Sequence, residues 1–470
     1  MHDKKPQQLS VDDWITVGFD RPILTRESLD RGRTEYVREE DRRRGDSRRD
    51  QTGRYPVLLD LSQTALIGFD VLPRLGALLK HRVDEDLATR LRLPLEPGEE
   101  GRPNPVIDYL QTWHFGQFIE RITERPFESF LDDQSCKAWS DWTLERSRYA
   151  RVSRDPEGEE LVQMSSQRYV RLTAMRDEDL RMVTEATDPN DRRYRAGEAI
   201  ERTLAGWTRG LLRSIFDQTL VNRDGKPAGD MVGTTILAEL LINSLIHSSA
   251  RLIYTYGQFS HLRESSDGRG YFVLSVWDNA GDEKDLGKQL WGAISADRAI
   301  SPAFGKITEV YHIWGDGHYE RSVPIGTRTT AKEVVRRLVD TPYGATVAGI
   351  TSEPGSLGVR PRGALDVDRL PDDFQGYAGL GLHRVKLAAL VAIDGVMEYA
   401  GSTLRTTIRL MSSDDWKESG GPDFSKVGTA GDQYRVDRRQ IDKRSTWPLA
   451  GNLWTVWLPV RTSEARNAFR

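Results

Sequence analysis

The sequence predicts an α/β protein of two domains, and three observations carry that expectation. Over the first 160 residues, short β-rich apolar runs alternate with segments of helical apolar periodicity. In the second half, GYFVLSVWD (270–278) and NLWTVWLPV (452–460) read as longer apolar strands, accompanied by apolar segments that read as helices. Finally, 470 residues with 38% apolar side chains exceed one ordinary core, since a domain usually holds roughly 100–200 residues.

In chain order, the stretch 26–54 holds ten arginines and eight acids, a mixture that reads as a solvated helix or loop, with a phosphate-binding surface as the alternative. YPVLLDLS (55–62) reads as a buried strand closed by turn formers. Val71, Leu72, Leu75, Leu78 and Leu79 then fall at helical spacing, and LRLPL (91–95) is a second short strand. Pro105 opens one helix through VIDYLQTWHFGQFIERI (106–122), at the position where a missing N–H costs least. The polar tract RVSRDPEGEE (151–160) marks a boundary, giving domains 1–160 and 161–470. Within the first, VLLDLSQTALIGFDVLPRL (57–75) resembles STAS domains in its strand–loop–helix register. Phe69 and Asp70 stand where regulatory STAS domains carry a phosphorylatable serine, so the resemblance implies a packing domain rather than a phospho-switch.

Composition excludes several classes. Cys136 is the single cysteine, which leaves no intramolecular disulfide and no cysteine-rich zinc site. The opening segment has no apolar signal core, and the longest apolar stretches (235–246 and 386–396) are too short to span a bilayer, so a cytoplasmic protein without membrane attachment is expected. Lysine plus arginine against aspartate plus glutamate gives 67 − 71 = −4, which argues against nucleic acid as a partner. GxxxxGK[ST], HExxH and GxSxG are all absent. Of twelve tryptophans, Trp113, Trp139 and Trp142 read as core packing or, alternatively, as a partner surface.

Three separated motifs carry the chemistry. In TTILAELLINSLIHSSARL (234–252), Glu239, Asn243 and His247 recur at i, i+4 and i+8 on one stripe, flanked by Ile236, Leu240, Ile242 and Ile246. Buried polar groups need partners, so this stripe looks onto a ligand, a metal or water; a partly exposed face is the plain alternative. In GYFVLSVWDNAGDEKDL (270–286), an apolar strand ends abruptly at Asp278 and a turn, which presents a carboxylate to a ligand or simply closes a strand. In the third, Gly376, Gly379 and Gly381 lead into a helix whose first turn carries His383, Arg384 and Lys386. Cations oppose the dipole at a helix start, so either an anion lies nearby or these heads swing into water.

In this order, the motifs resemble the GHKL ATP-binding family, which includes DNA gyrase, heat-shock chaperones, mismatch-repair proteins, histidine kinases and anti-sigma-factor serine kinases. The resemblance spans roughly 190–460. The family's N box corresponds to Glu239-Leu-Leu-Ile-Asn243-Ser-Leu-Ile-His247, its first glycine box to Asp278-Asn279-Ala280-Gly281-Asp282, and its second to Gly379-Leu380-Gly381-Leu382. Ala280 and Asp282 replace two glycines of the first box, and Tyr377 stands one step before the second. The 97 residues 282–378 and the segment 411–450 read as insertions. The resemblance implies a Bergerat-type α/β sandwich, a mixed sheet covered by helices.

It also implies ATP and Mg²⁺ as cofactors. Asn243 would hold the Mg²⁺ that bridges the phosphates, Asp278 would accept the adenine amino group, and Gly379 and Gly381 would bring backbone N–H groups to the phosphates. Gly281, Leu382 and His247 belong to the same binding motifs, with Lys386 and Arg384 as further phosphate contacts. Glu239 would be the general base of an ATPase whose nucleotide state controls a partner protein, with a homodimer plausible for the family. The alternatives are a serine/threonine kinase of the anti-sigma-factor type, or a nucleotide-sensing module without turnover. His2, His81 and His114 lie upstream without an acceptor-like motif, and His261 follows the N box, which speaks against a sensor histidine kinase. Bacterial proteins that resemble this family often act beside an effector in regulation or defence.

Overall fold

A computed structural model describes residues 14–19, 22–44, 55–68, 70–96, 104–150, 169–207, 228–246, 250–259, 270–280, 310–315, 318–324, 381–402, 404–410, 434–440 and 444–460. The chain divides into two compact units: Met1–Ser165 with Ile441–Leu449, and Ser166–Gln440 with Ala450–Arg470.

The first unit runs β1 (Ile15–Gly18), β2 (Ile23–Leu24), α1 (Arg26–Arg44), β3 (Val57–Asp60), β4 (Leu66–Ile67), α2 (Val71–Asp84), β5 (Thr89–Arg92), α3 (Pro105–Thr112), α4 (Phe115–Thr123) and α5 (Asp133–Ala150). Strands β1, β3 and β5 form a parallel sheet in that order, while β2 pairs in parallel with β4. Parallel neighbours need crossover connections, which α1 and α2 supply.

The arginine-rich stretch forms α1, but one face of that helix is core. Arg33, Tyr36, Val37 and Glu40 are all buried. The Arg33 guanidinium lies 5.0 Å from the Tyr36 ring centre and 4.8 Å from that of Trp447, a residue supplied by the Ile441–Leu449 segment. A planar cation can stack on aromatic rings while donating in its own plane, so charge alone does not put an arginine in water. Arg82 of α2 approaches the same two rings and donates to the Tyr55 and Ala88 carbonyl oxygens.

The single helix expected after Pro105 is two helices. Asn104 caps α3 by accepting from the Val106 N–H at 2.9 Å. The chain then breaks at His114, which is left-handed at φ 58°, before α4 begins. The apolar spacing explains the break. Val106, Ile107 and Leu110 mark one stripe and Phe115, Phe118, Ile119 and Ile122 another, and in a continuous helix the two would face different directions. Breaking the helix turns both stripes inward. Trp113 and Trp139 are buried there, with Trp139 edge-on to Phe127 at 4.8 Å between ring centres, so both are core residues.

The second unit begins with β6 (Tyr169–Ala174), α6 (Asp177–Thr184) and α7 (Pro189–Trp207). A helical rod follows: Gly229–Met231, a π-helical stretch Val232–Leu237, then α8 (Ala238–Ile246). Next come β7 (Ile253–Phe259), β8 (Gly270–Asp278), a hairpin of β9 (Val310–Gly315) and β10 (His318–Pro324), and α9 (Gly381–Lys386), which continues as a π-helix over Leu387–Ala392. Strands β11 (Val396–Ala400), β12 (Leu404–Leu410), β13 (Tyr434–Gln440) and β14 (Asn452–Val460) complete it.

Seven strands form one sheet in the order β13-β12-β11-β14-β8-β7-β6. Every pairing is antiparallel, which corrects the expectation of a mixed sheet. The reason lies in the connections: β7–β8 and β11–β12 are sequential neighbours, and the last strand enters between β11 and β8 antiparallel to both. Side chains alternate along β8, so Leu274, Val276 and Asp278 share the face on which α8 packs. Trp454 and Val456 of β14 and Met397 and Tyr399 of β11 continue that buried face.

Candidate functional site

Helices α8 and α9 pack together and bring four predicted positions into one place. Glu239 is buried between them at 2% exposure, and Arg384 of α9 donates from Nη1 to Glu239 Oε1 at 3.0 Å. One turn further along α8, the Asn243 amide donates from Nδ2 to the Glu239 carbonyl oxygen at 2.7 Å. That bond fixes the half-buried amide and leaves Oδ1 as its accepting atom. Gly381, the first residue of α9, meets both. A Cβ built there would lie 2.8 Å from Glu239 Oε2 and 3.4 Å from Asn243 Nδ2, so the backbone comes directly against the polar stripe.

Two of the cations at the start of α9 are not in water. Arg384 and Lys386 are buried, and the carboxylate that balances Arg384 is Glu239 of the neighbouring helix. For Arg384, the counter-charge is therefore supplied within the chain. This pair also explains how a glutamate can lie among Ile236, Leu240 and Ile242, since a buried charge needs a partner. Leu382 is buried beside it as part of the apolar packing.

Asp278 ends β8 on the face that α8 covers, and it is 2% exposed. Its Oδ1 accepts from the Ala280 N–H at 3.1 Å and from Asn452 Nδ2 at 3.0 Å. Its Oδ2 accepts from the Ser244 hydroxyl of α8 at 2.9 Å. Burial pushes the carboxyl up to about 6, while the hydrogen bonds from Ala280, Ser244 and Asn452 pull in the other direction. Asn279, next in the chain, accepts from the Arg251 and Leu252 N–H groups at 2.9 Å and so ties the end of β8 to the start of β7.

Asn452 reaches Asp278 because Gly451 turns the chain just before β14. Gly451 has φ +77°, and a Cβ there would fall 1.8 Å from the Asp278 carbonyl oxygen. Gly451→Ala is expected to lower stability by about 3 kcal/mol or more, because both the backbone and the space reject a side chain. Urea denaturation measures it, and a loss below about 1 kcal/mol would contradict this packing.

Glu239, Asn243, Gly381, Leu382, Arg384 and Lys386 thus belong to one packed pair of helices, while Asp278 is joined to α8 through Ser244. His247, Gly281 and Gly379 lie outside the described residues. Sequence reasoning missed Ser244, Asn452, Tyr399 and Gly451. Ser244 carried a faint signal as the neighbour of Asn243, and Gly451-Asn452 reads locally as an ordinary turn. Among the described residues no group of three or more His, Cys, Asp or Glu side chains gathers as a metal site, and no helix is long and apolar enough to cross a membrane. The fold and site define an α/β unit in which a carboxylate-bearing helix faces a helix opened by glycine. No family model matches the chain, and neither the curated proteins nor the solved structures give a match.

Proposed function

We propose that the second unit is an ATP-binding, Mg²⁺-dependent ATPase of the GHKL type, whose nucleotide state controls a partner protein. The reading is supported above all by the meeting of Glu239, Asn243 and Gly381, where the start of a helix lies against a carboxylate and a fixed amide with room only for glycine. The donor set fits the cofactors. Magnesium favours oxygen ligands and keeps several waters, so the Asn243 Oδ1 together with phosphate oxygens suffices. Bound Mg²⁺ would neutralise phosphate charge. Glu239 would take a proton from the attacking water, Gly381 would bring backbone close to the phosphates, and Asp278 would accept the amino group of adenine.

A second reading, a nucleotide sensor without turnover, is favoured by the Arg384–Glu239 pair. A carboxylate oxygen held by a guanidinium is a weaker proton acceptor than a solvated one. ATP binding and turnover with Mg²⁺, measured beside Glu239→Gln, separate the two. Glutamine keeps the shape and can still accept from Arg384, so binding is expected to survive while turnover falls about 10²–10⁴-fold. Binding without turnover in the wild type selects the sensor, or a kinase if phosphate passes to a protein. A wild type that binds no adenine nucleotide overturns the assignment.

A further inference from the structure

We infer that Tyr399, acting through Asn452, is a positioning residue that holds Asp278 as an ionised acceptor and so selects a base bearing an exocyclic amino group. The inference rests on reading this place as a nucleotide site, but its first half concerns residues of this chain alone.

The hydrogen bonds form a chain with one consistent direction. The Tyr399 hydroxyl donates to Asn452 Oδ1 at 2.7 Å, and Asn452 Nδ2 donates to Asp278 Oδ1 at 3.0 Å. All three residues are buried, at 0%, 5% and 2% exposure. A phenol at this distance occupies the amide oxygen, so the amide has its nitrogen toward the carboxylate. A donating amide favours the ionised carboxylate, whereas an accepting one would favour a protonated carboxyl. Tyr399 therefore decides which charge state its neighbour's neighbour prefers.

The same chain sets what the carboxylate can recognise. Oδ1 already accepts from two donors, Ala280 N–H and Asn452 Nδ2. Oδ2 accepts from Ser244, and the Asn452 backbone N–H also donates to the carboxylate, so each of these partners of Asp278 is a donor. An ionised carboxylate accepts and never donates, so an amino group suits it, whereas a carbonyl would set two acceptors against each other in a buried site.

The groups that face Asp278 from the packed elements are neutral: Ser244 from α8, Asn452 from β14, Ile253 opposite it on β7, and the Ala280 amide beyond β8. The titratable side chains of the surrounding elements are Glu239 on α8, His383, Arg384 and Lys386 on α9, Tyr254 and Tyr256 on β7, Tyr271 on β8, and Glu398 and Tyr399 on β11; the His383 side chain lies outside the described residues. Glu239 is committed to Arg384, and Glu398 accepts from Arg405.

Tyr399→Phe isolates the hydroxyl, because the ring keeps its place 5.1 Å from the Trp454 ring centre. Two measurements on the full chain test the inference. Thermal stability across pH 4–8, compared between wild type and Asp278→Asn, reads the titration of Asp278 without any ligand; in the Tyr399 variant, that titration is expected to move upward by about one pH unit. Binding of ATP is then compared with binding of inosine triphosphate, which carries a carbonyl in place of the amino group. The wild type is expected to prefer ATP, and Tyr399→Phe to lose about tenfold of that preference and to bind ATP only above a higher pH. Asn452→Leu, whose side chain cannot donate, should shift both readings further. An unchanged Asp278 titration in Tyr399→Phe overturns the positioning role, whatever the nucleotides do. A shifted titration in a protein that binds neither nucleotide upholds the positioning role and overturns the selection of a base along with the ATP reading.

Discussion

Asp278→Asn is expected to stabilise the protein at pH 7 by about 2–3 kcal/mol and, on the proposed reading, to abolish binding of adenine nucleotides. The substitution is close to isosteric, and the site can satisfy it. The new carbonyl accepts from Ala280 and Asn452 as Oδ1 does now, and the new amino group donates to Ser244, whose hydroxyl can reverse its role. What disappears is the cost of burying a charge. The carboxyl is raised from 3.8 to about 6 in the folded chain, so over that interval the native state holds more protons than the unfolded one. Stability from this group is therefore greatest below about pH 4, falls as pH rises toward 6, and stays low above it. Asparagine mimics the protonated form at every pH. Urea denaturation of both proteins should give curves that converge near pH 4 and separate by pH 7. A variant less stable than wild type at pH 7 would refute this description of the site. A residue that costs stability where it stands is expected of a binding group rather than of a structural one.

Arg384→Met is expected to have an effect of similar size and opposite sign, lowering stability by about 3–5 kcal/mol, because Glu239 is left buried without its counter-charge. Methionine covers much of the arginine stem, so lost packing contributes little of this. The double variant Glu239→Leu/Arg384→Met should recover most of the loss, since two apolar groups of similar volume replace a pair whose attraction barely exceeds its desolvation cost. Denaturation of the two single variants and the double variant gives the coupling directly. Additive losses would mean that the pair is not formed in solution. If the wild type turns over ATP, Arg384→Lys separates the roles further. A lysine retains the charge but not the planar fork, and the pH dependence of turnover would shift if the guanidinium restrains Glu239 as a base.

Much of the element map was legible from local pattern. The strand ending at Asp278, the helix around Glu239 and Asn243, and the last strand beginning at Asn452 all follow from apolar runs bounded by turn residues. Periodicity is a local property, and these elements obey it. The break between α3 and α4 was legible too in principle, since the step from Trp113 to Phe115 rotates the apolar stripe. The burial of Arg33, Glu40 and Arg82 was not, because nothing local tells an arginine that stacks on Trp447 from one in water.

The sequence by itself determined the α/β character, the polar stripe on an apolar helix, the carboxylate at a strand's end and the glycines before a helix. Only the tertiary structure decided how these meet. Arg384 lies 145 residues from the Glu239 it pairs with, and Asn452 lies 174 residues from the Asp278 it holds. It also assigned the Ile441–Leu449 segment to the first unit and made the large sheet antiparallel throughout. The physical reason is common to all of these. Helices and strands form from neighbours in the chain, whereas the partner of a buried charge is set by which elements pack together, and a charge without its partner would not stay buried.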